Sequence, residues 1–119
     1  MEQCQMKGCN CSGQKHHIVY RSHGGLNIRM NYKYLCVNHH TDGKEAVHNN
    51  RAVDLMLKKE LQDRYFEEFD KEEYTVKEIS EIIGYDRNRL QKKMKTVRQR
   101  AGKYQKEDVV RFLMGGKLY

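Results

Sequence analysis

The apolar positions of the chain keep one period over its middle, renew it after a break, and show almost none at its start. Val53, Leu57, Leu61, Tyr65 and Phe69 fall at steps of four, with Met56 and Phe66 beside them and Lys, Glu and Asp opposite. Residues four apart lie above one another on a helix, so this stripe predicts an amphipathic helix over about 51–70 with one face in a core. Thr75 and Glu78 then form a capping-box pair ahead of Val76, Ile79, Ile82 and Ile83, which predicts a second helix stopping at Gly84. Asp86 can cap a third, with Leu90, Met94 and Val97 inward and Arg87, Asn88, Arg89, Gln91, Lys92, Lys93 and Lys95 outward. A last short helix from about Lys106 buries Val109, Val110, Phe112 and Leu113. The first fifty residues are instead rich in Cys, His, Asn and Gly, with two short β-type runs at 17–20 and 34–37.

The expected fold class is therefore α+β: a small β-containing module over 1–50, an amphipathic linker helix over 51–73, and an all-α helix-turn-helix-like module over 74–119. A chain of 119 residues divided this way leaves each module short of core material, and a unit below about 70 residues generally needs a staple. No apolar run approaches the ~20 residues of a membrane span, so no membrane is expected among its partners. The opening MEQCQMKGCNCSG has no apolar segment of the kind a secretory signal requires. The expected compartment is the reducing cytoplasm, where four cysteines are more readily metal ligands than disulfides. Charge adds a polyanionic partner. Residues 1–74 carry 11 Lys and Arg against 11 Asp and Glu, whereas residues 75–119 carry 12 against 5, the whole of the formal +7. Cations clustered in this way release condensed counterions when they neutralise phosphates, which points to a polyanion such as a nucleic acid.

All four Cys and all six His lie within residues 4–48. Cys4 and Cys9 bracket the knuckle QMKG, Cys11 follows two residues later, and Cys36-Val-Asn-His39 has the spacing by which two ligands from one turn grip a tetrahedral zinc. Two knuckles make one structural site, with Cys4, Cys9, Cys36 and His39 as its expected ligands and Cys11 as a spare thiol or an alternative to Cys9. Structural zinc contributes roughly 10–16 kcal/mol of apparent free energy in small domains, which is the staple this block needs. His16, His17, His23, His40 and His48 remain, together with Asn31. Neutral imidazoles serve both as ligands and as general bases, and neighbours on a strand point to opposite faces. One of His16 and His17 can therefore hold a cation while the other addresses a different atom.

Taken in order, His16-His17-Ile18-Val19, the Gly24-Gly25 pair, Asn31 and Leu35-Cys36-x-x-His39-His40 resemble the HNH, or ββα-metal, endonuclease family. His17, Asn31 and His40 stand in the places of its H, N and H, with the family's nine-residue step from Asn31 to His40. The resemblance covers about residues 4–48 and implies two strands and a helix around one divalent ion. It implies that His17 is the general base that deprotonates water, a job imidazole suits near neutral pH. His16 and His40 would hold Mg²⁺ or Mn²⁺, with Zn²⁺ or Ni²⁺ as further options, and His48 is an additional candidate ligand. The ion would stabilise charge on the leaving 3′ oxygen. Asn31 would brace the strand that carries the base, the glycine pair letting the chain bend back to it. Tyr20 stands where many relatives have proline, and His39 ends the second knuckle where Cys is commoner. Because His39 and His40 are adjacent, which of them binds zinc and which the catalytic ion is left open. Arg21 is a candidate phosphate contact, as are Arg29 and Lys33; His23 reads as a loop residue, and Ser22 lacks the partners of a nucleophile.

The helix pair after residue 74 has the pattern of a helix-turn-helix, whose second helix enters the major groove. Arg87, Asn88, Arg89, Lys92 and Lys93 are accordingly candidate DNA contacts. The segment Gly102-Lys103-Tyr104-Gln105 and the last helix resemble the wing and closing helix of MerR or excisionase-type winged modules. The combined expectation is a metal-dependent DNA endonuclease that nicks as a monomer and breaks both strands only as a homodimer or in two events. Small proteins of this build resemble those of bacteriophages and mobile elements, which would place this one in a host cytoplasm. Its rival from another class is a zinc-containing DNA-binding regulator or inhibitor without turnover, and RNA is a further candidate substrate.

Overall fold

The computed structural model describes residues 3–6, 8–43 and 46–119. In chain order the elements are β1 (Gln14–His17), β2 (Tyr32–Leu35), a π-type helical turn (Asn38–Asp42), α1 (Arg51–Glu68), β3 (Glu73–Tyr74), α2 (Val76–Ile83), α3 (Arg87–Lys93), β4 (Tyr104–Gln105) and α4 (Lys106–Leu113). This is an α+β protein with two antiparallel two-stranded sheets, β1–β2 and β3–β4.

The helices follow the local signals. The Asn50 side chain accepts from the Ala52 and Val53 amides and starts α1, and Leu57, Leu61, Tyr65 and Phe69 are buried along its stripe. Met56 lies outside that stripe and is 47% exposed. The capping box of α2 forms in both directions: Glu78 donates its amide to the Thr75 hydroxyl and accepts from the Thr75 amide. Asp86 accepts from the Arg89 amide and starts α3. That helix ends at Lys93, so Val97 lies in the turn beyond it rather than on its face.

The strands differ from the hydropathy pattern. Both lie earlier than the apolar runs at 17–20 and 34–37, with His17 opposite Tyr32 and Gln14 opposite Leu35. Ile18 and Val19 are buried, but their amides bond to the main chain and side chain of Asn31, which takes the chain off the ladder. After Leu35 the chain turns into the Cys36–His39 knuckle, and Val37 is left 44% exposed. The third block is also not all-α, because β3 pairs with β4, placing Tyr74 opposite Tyr104 with both rings buried. Thirty residues separate that pair, too far for a local pattern to register.

Buried side chains from all three blocks form one cluster, running from Leu35 through Leu57, Leu61 and Tyr65 of α1 to Ile79, Leu90, Val109 and Leu113. The C-terminal segment closes over α1: the Tyr119 amide donates to the Gln62 side chain (2.7 Å), which donates back to the Tyr119 carbonyl (3.0 Å). A side chain at Gly115 would collide with the His23 carbonyl, so the same segment lies directly against the loop after β1. Among the described residues no helix is long and apolar enough to cross a membrane.

Candidate metal centre

Cys4, Cys9, Cys36 and His39 converge, and their ligand atoms all lie within 4.8 Å of one another. His39 Nδ1 is 3.2 Å from Cys36 Sγ and 3.4 Å from Cys4 Sγ, and the Cys9 and Cys36 sulfurs are 3.7 Å apart. Metal–sulfur legs of about 2.3 Å and metal–nitrogen legs of about 2.0 Å give a tetrahedron with edges of roughly 3.5–3.8 Å, close to these separations. Burial works against ionisation of Cys36, but the His39 amide, the neighbouring thiols and the His39 ring together bring its thiol down to about 6. Of the three cysteines Cys36 is the one shifted toward the thiolate that a metal requires; burial raises the Cys4 thiol, and against a bond from the Cys11 main chain, burial and its neighbouring thiols raise the Cys9 thiol. Cys11 is exposed and outside the cluster, which resolves the choice between it and Cys9.

A second group, His16, His40 and His48, also brings its ligand atoms within 4.8 Å of one another. The ring centres are 5.1 Å apart for His16–His40 and His16–His48, and 4.6 Å for His40–His48. Successive positions on a helical turn point about 100° apart, so His39 goes to the cysteines and His40 to the other histidines. His16 is 3% exposed, and its Nε2 has no hydrogen-bond partner. Burial, reinforced by the neighbouring imidazoles, lowers its pKa to about 4. A neutral ring with an unshared nitrogen facing two other imidazoles is a metal-ligand arrangement. Gln14, two residues before His16 on the same strand, sets its amide oxygen 3.0 Å from His40 Nδ1. With the proton on Nδ1, His40 presents its Nε2 lone pair. Burial, with help from His48, lowers the His40 pKa as well.

His48 is exposed, and its ring stacks on Tyr20, with centres 5.8 Å apart. The Tyr20 hydroxyl donates to Asp54 Oδ1 (3.2 Å), and the buried Lys58 ammonium donates to Asp54 Oδ2 (2.9 Å) while lying 4.8 Å from the Tyr20 ring centre. Burial and the Asp54 charge raise the Tyr20 pKa to about 12. Tyr20 therefore ties the floor of the histidine cluster to α1.

His17 and His16 line one cleft of about 330 Å³ with Tyr20, Arg21, His40 and His48. His17 lies outside the three-histidine cluster: its Nε2 is 2.8 Å from Asn27 Oδ1, and its ring meets Tyr32 edge-on at 5.0 Å. With Nε2 protonated toward Asn27, the free lone pair of His17 is on Nδ1. Asn31 makes no contact with the cleft. Its side chain is buried, accepts from the Val19 amide (2.8 Å) and donates to the Val19 and Leu26 carbonyls (3.0 Å each). It thereby closes the loop that presents Asn27 to His17. A side chain at Gly25 would collide with the Val19 carbonyl, so the second glycine of the pair is needed for that close approach.

The basic candidates divide by position. Arg21 borders the cleft, and Arg89 and Lys93 of α3 face the loop that carries it. Asn88 and Lys92 line the other side of α3 with Gln91 and Lys95, and Arg87 is exposed at the helix start. Lys33 is engaged by Glu60 at 3.1 Å. Sequence reasoning missed Gln14, Asn27, Asp54 and Lys58. Only Gln14 carried a signal, its i, i+2 relation to His16 on a strand. The whole is a small α+β protein with two clusters of side chains that could hold a metal ion, one mainly of thiols and one of imidazoles. Comparison with models of protein families, with curated proteins and with solved structures found no match.

Proposed function

We propose that the protein is an HNH-type, metal-dependent endonuclease of double-stranded DNA, with zinc at Cys4, Cys9, Cys36 and His39 and a divalent ion at His16, His40 and His48. The observation that carries this reading is the buried, unpartnered Nε2 of His16 facing two further imidazoles, in a cleft that His17 also lines. The donor set suits Mg²⁺ or Mn²⁺ less than Zn²⁺ or Ni²⁺ by softness, and an open face for substrate makes all four admissible. His16, His40 and His48 would hold the divalent ion, which would supply Lewis-acid stabilisation of the departing oxygen.

The rest of the chemistry falls to the chain. His17, oriented by Asn27 through Nε2, takes the water proton on Nδ1. Gln14 fixes the His40 tautomer, and Tyr20 supports His48 from below. Arg21 at the rim offers a charge-assisted bond to a phosphate. The basic last block adds sequence-independent affinity for the duplex. One such site cuts one strand, so a monomer nicks.

The test is incubation of the zinc-loaded protein with supercoiled plasmid and added Mg²⁺, Mn²⁺ or Ni²⁺. Nicked circles are expected, and their loss is expected for His17→Ala with folding and zinc content intact. Nicking by His17→Ala at the wild-type rate refutes the base assignment. DNA retention without nicking in any metal leaves a non-catalytic DNA-binding protein.

A further inference from the structure

Arg21 borders two neighbouring concavities. One is the histidine cleft; the other, of about 490 Å³, lies between the 21–27 loop and α3 and is lined by Arg21, Asn27, Tyr85, Arg89 and Lys93. Asn27 joins them chemically, because the side chain that faces this groove also holds His17. No acidic residue lines the groove. Among the described residues no carboxylate forms an ion pair with Arg21, Arg89 or Lys93. Arg89 and Lys93 are four apart on α3 and so share a face. The Tyr85 ring, 5.8 Å from the Arg89 guanidinium carbon, supports that cation from one side. The groove thus has Arg21 on one side and Arg89 with Lys93 on the other, none in an ion pair among the described residues, and a polyanion lying between them would be neutralised from both sides.

We propose that this groove carries the phosphodiester backbone of the DNA strand that enters the histidine cleft, so that α3 meets DNA through Arg89 and Lys93 on phosphates. This rests on the endonuclease reading above and departs from the helix-turn-helix expectation, in which α3 reads base edges with its outer residues. The groove then leads the strand into the cleft, because Arg21 lines both and Asn27, which lines the groove, contacts His17 of the cleft. Phosphate contacts carry no sequence information, so cutting is expected to be permissive in sequence.

The test is lysine acetylation of the full-length, zinc-loaded protein with and without a short DNA duplex, read by mass spectrometry. Lys93 is expected to be protected several-fold while Lys92 and Lys95 stay reactive. Protection of Lys92 and Lys95 with Lys93 still reactive, or equal protection of all three, overturns the proposal, as does failure of the duplex to bind. Nicking of plasmid remains the separate test of the enzyme itself. In a second measurement, Arg89→Gln with Lys93→Gln should flatten the slope of log K against log salt by about 1.8, at roughly 0.9 for each phosphate that is no longer neutralised. The same pair should raise KM for nicking and spare kcat, whereas Asn88→Ala with Lys92→Gln should move KM much less. Nicking at an unchanged KM in the groove variant overturns the groove and leaves the nuclease standing.

Discussion

Asn31→Ala tests how the loop over the cleft is held. The side chain is 1% exposed and makes three hydrogen bonds, one from the Val19 amide and two to the Val19 and Leu26 carbonyls. Truncation leaves one donor and two acceptors without partners in a space an amide had filled. A buried polar group stripped of its partner costs about 1–3 kcal/mol, carbonyls being the more easily re-satisfied, so the loss should total roughly 3–5 kcal/mol. Against a typical domain stability of about 5–15 kcal/mol this is large yet measurable. The assay is urea unfolding at fixed zinc, followed by fluorescence of the tyrosines, since the chain has eight Tyr and no Trp. Asn31→Asp sharpens the test. It keeps the bond from Val19 but turns the other two into contacts between a carboxylate and carbonyls, which raises the folded-state pKa above the unfolded value of about 3.9. Stability that depends on a proton held in the folded state is present at low pH and lost as pH rises through that raised pKa. Relative to the wild type, the Asp variant should therefore weaken from pH 4 to 7. A cost below about 1 kcal/mol for Ala, or an Asp variant that gains stability on the wild type over that range, would refute the brace.

Three further outcomes follow from the same geometry. Cys36→Ser should lose the tightly held zinc, about one per chain in the wild type, together with folding of the first block, whereas Cys11→Ser should keep both by zinc assay and circular dichroism. With no ion in the histidine cleft, stability should fall as pH drops from 6.5 toward about 4: the His16 pKa is lowered on folding, so its contribution is complete above the unfolded value and is lost as the buried ring is forced to protonate. His16→Leu should remove that part of the pH slope, and an unchanged slope would count against it. Ala101 and Gly102 are the central residues of a two-residue turn with φ of 53° and 77°, closed by paired bonds between Arg100 and Lys103. A turn with both central φ positive favours Asn over Ala at its first position, so Ala101→Asn should stabilise by about 0.5–1 kcal/mol, read as a rise in Tm; a fall in Tm would contradict the turn.

Local bonding made α1, α2 and their caps legible in advance, because the groups involved lie three or four residues apart. The stripe from Leu57 to Tyr65, the Thr75–Glu78 box and the Cys36–His39 knuckle are all of this kind. The histidines and Asn31 were also legible as candidates from their order along the chain. Only the tertiary structure separated His39 from His40, chose Cys9 over Cys11, and brought His48 alongside His16. It also moved the strands, since an Asn31 side chain replaced the ladder bonds that the β-branched run predicts. The β3–β4 ribbon and the supports from Gln14, Asn27 and Asp54 arose in the same way. So did the division of α3 into a face toward Arg21 and a face toward solvent. Neighbours along the chain set caps and helical stripes. Which distant polar atoms meet depends on where loops close, and that is decided only when the core packs.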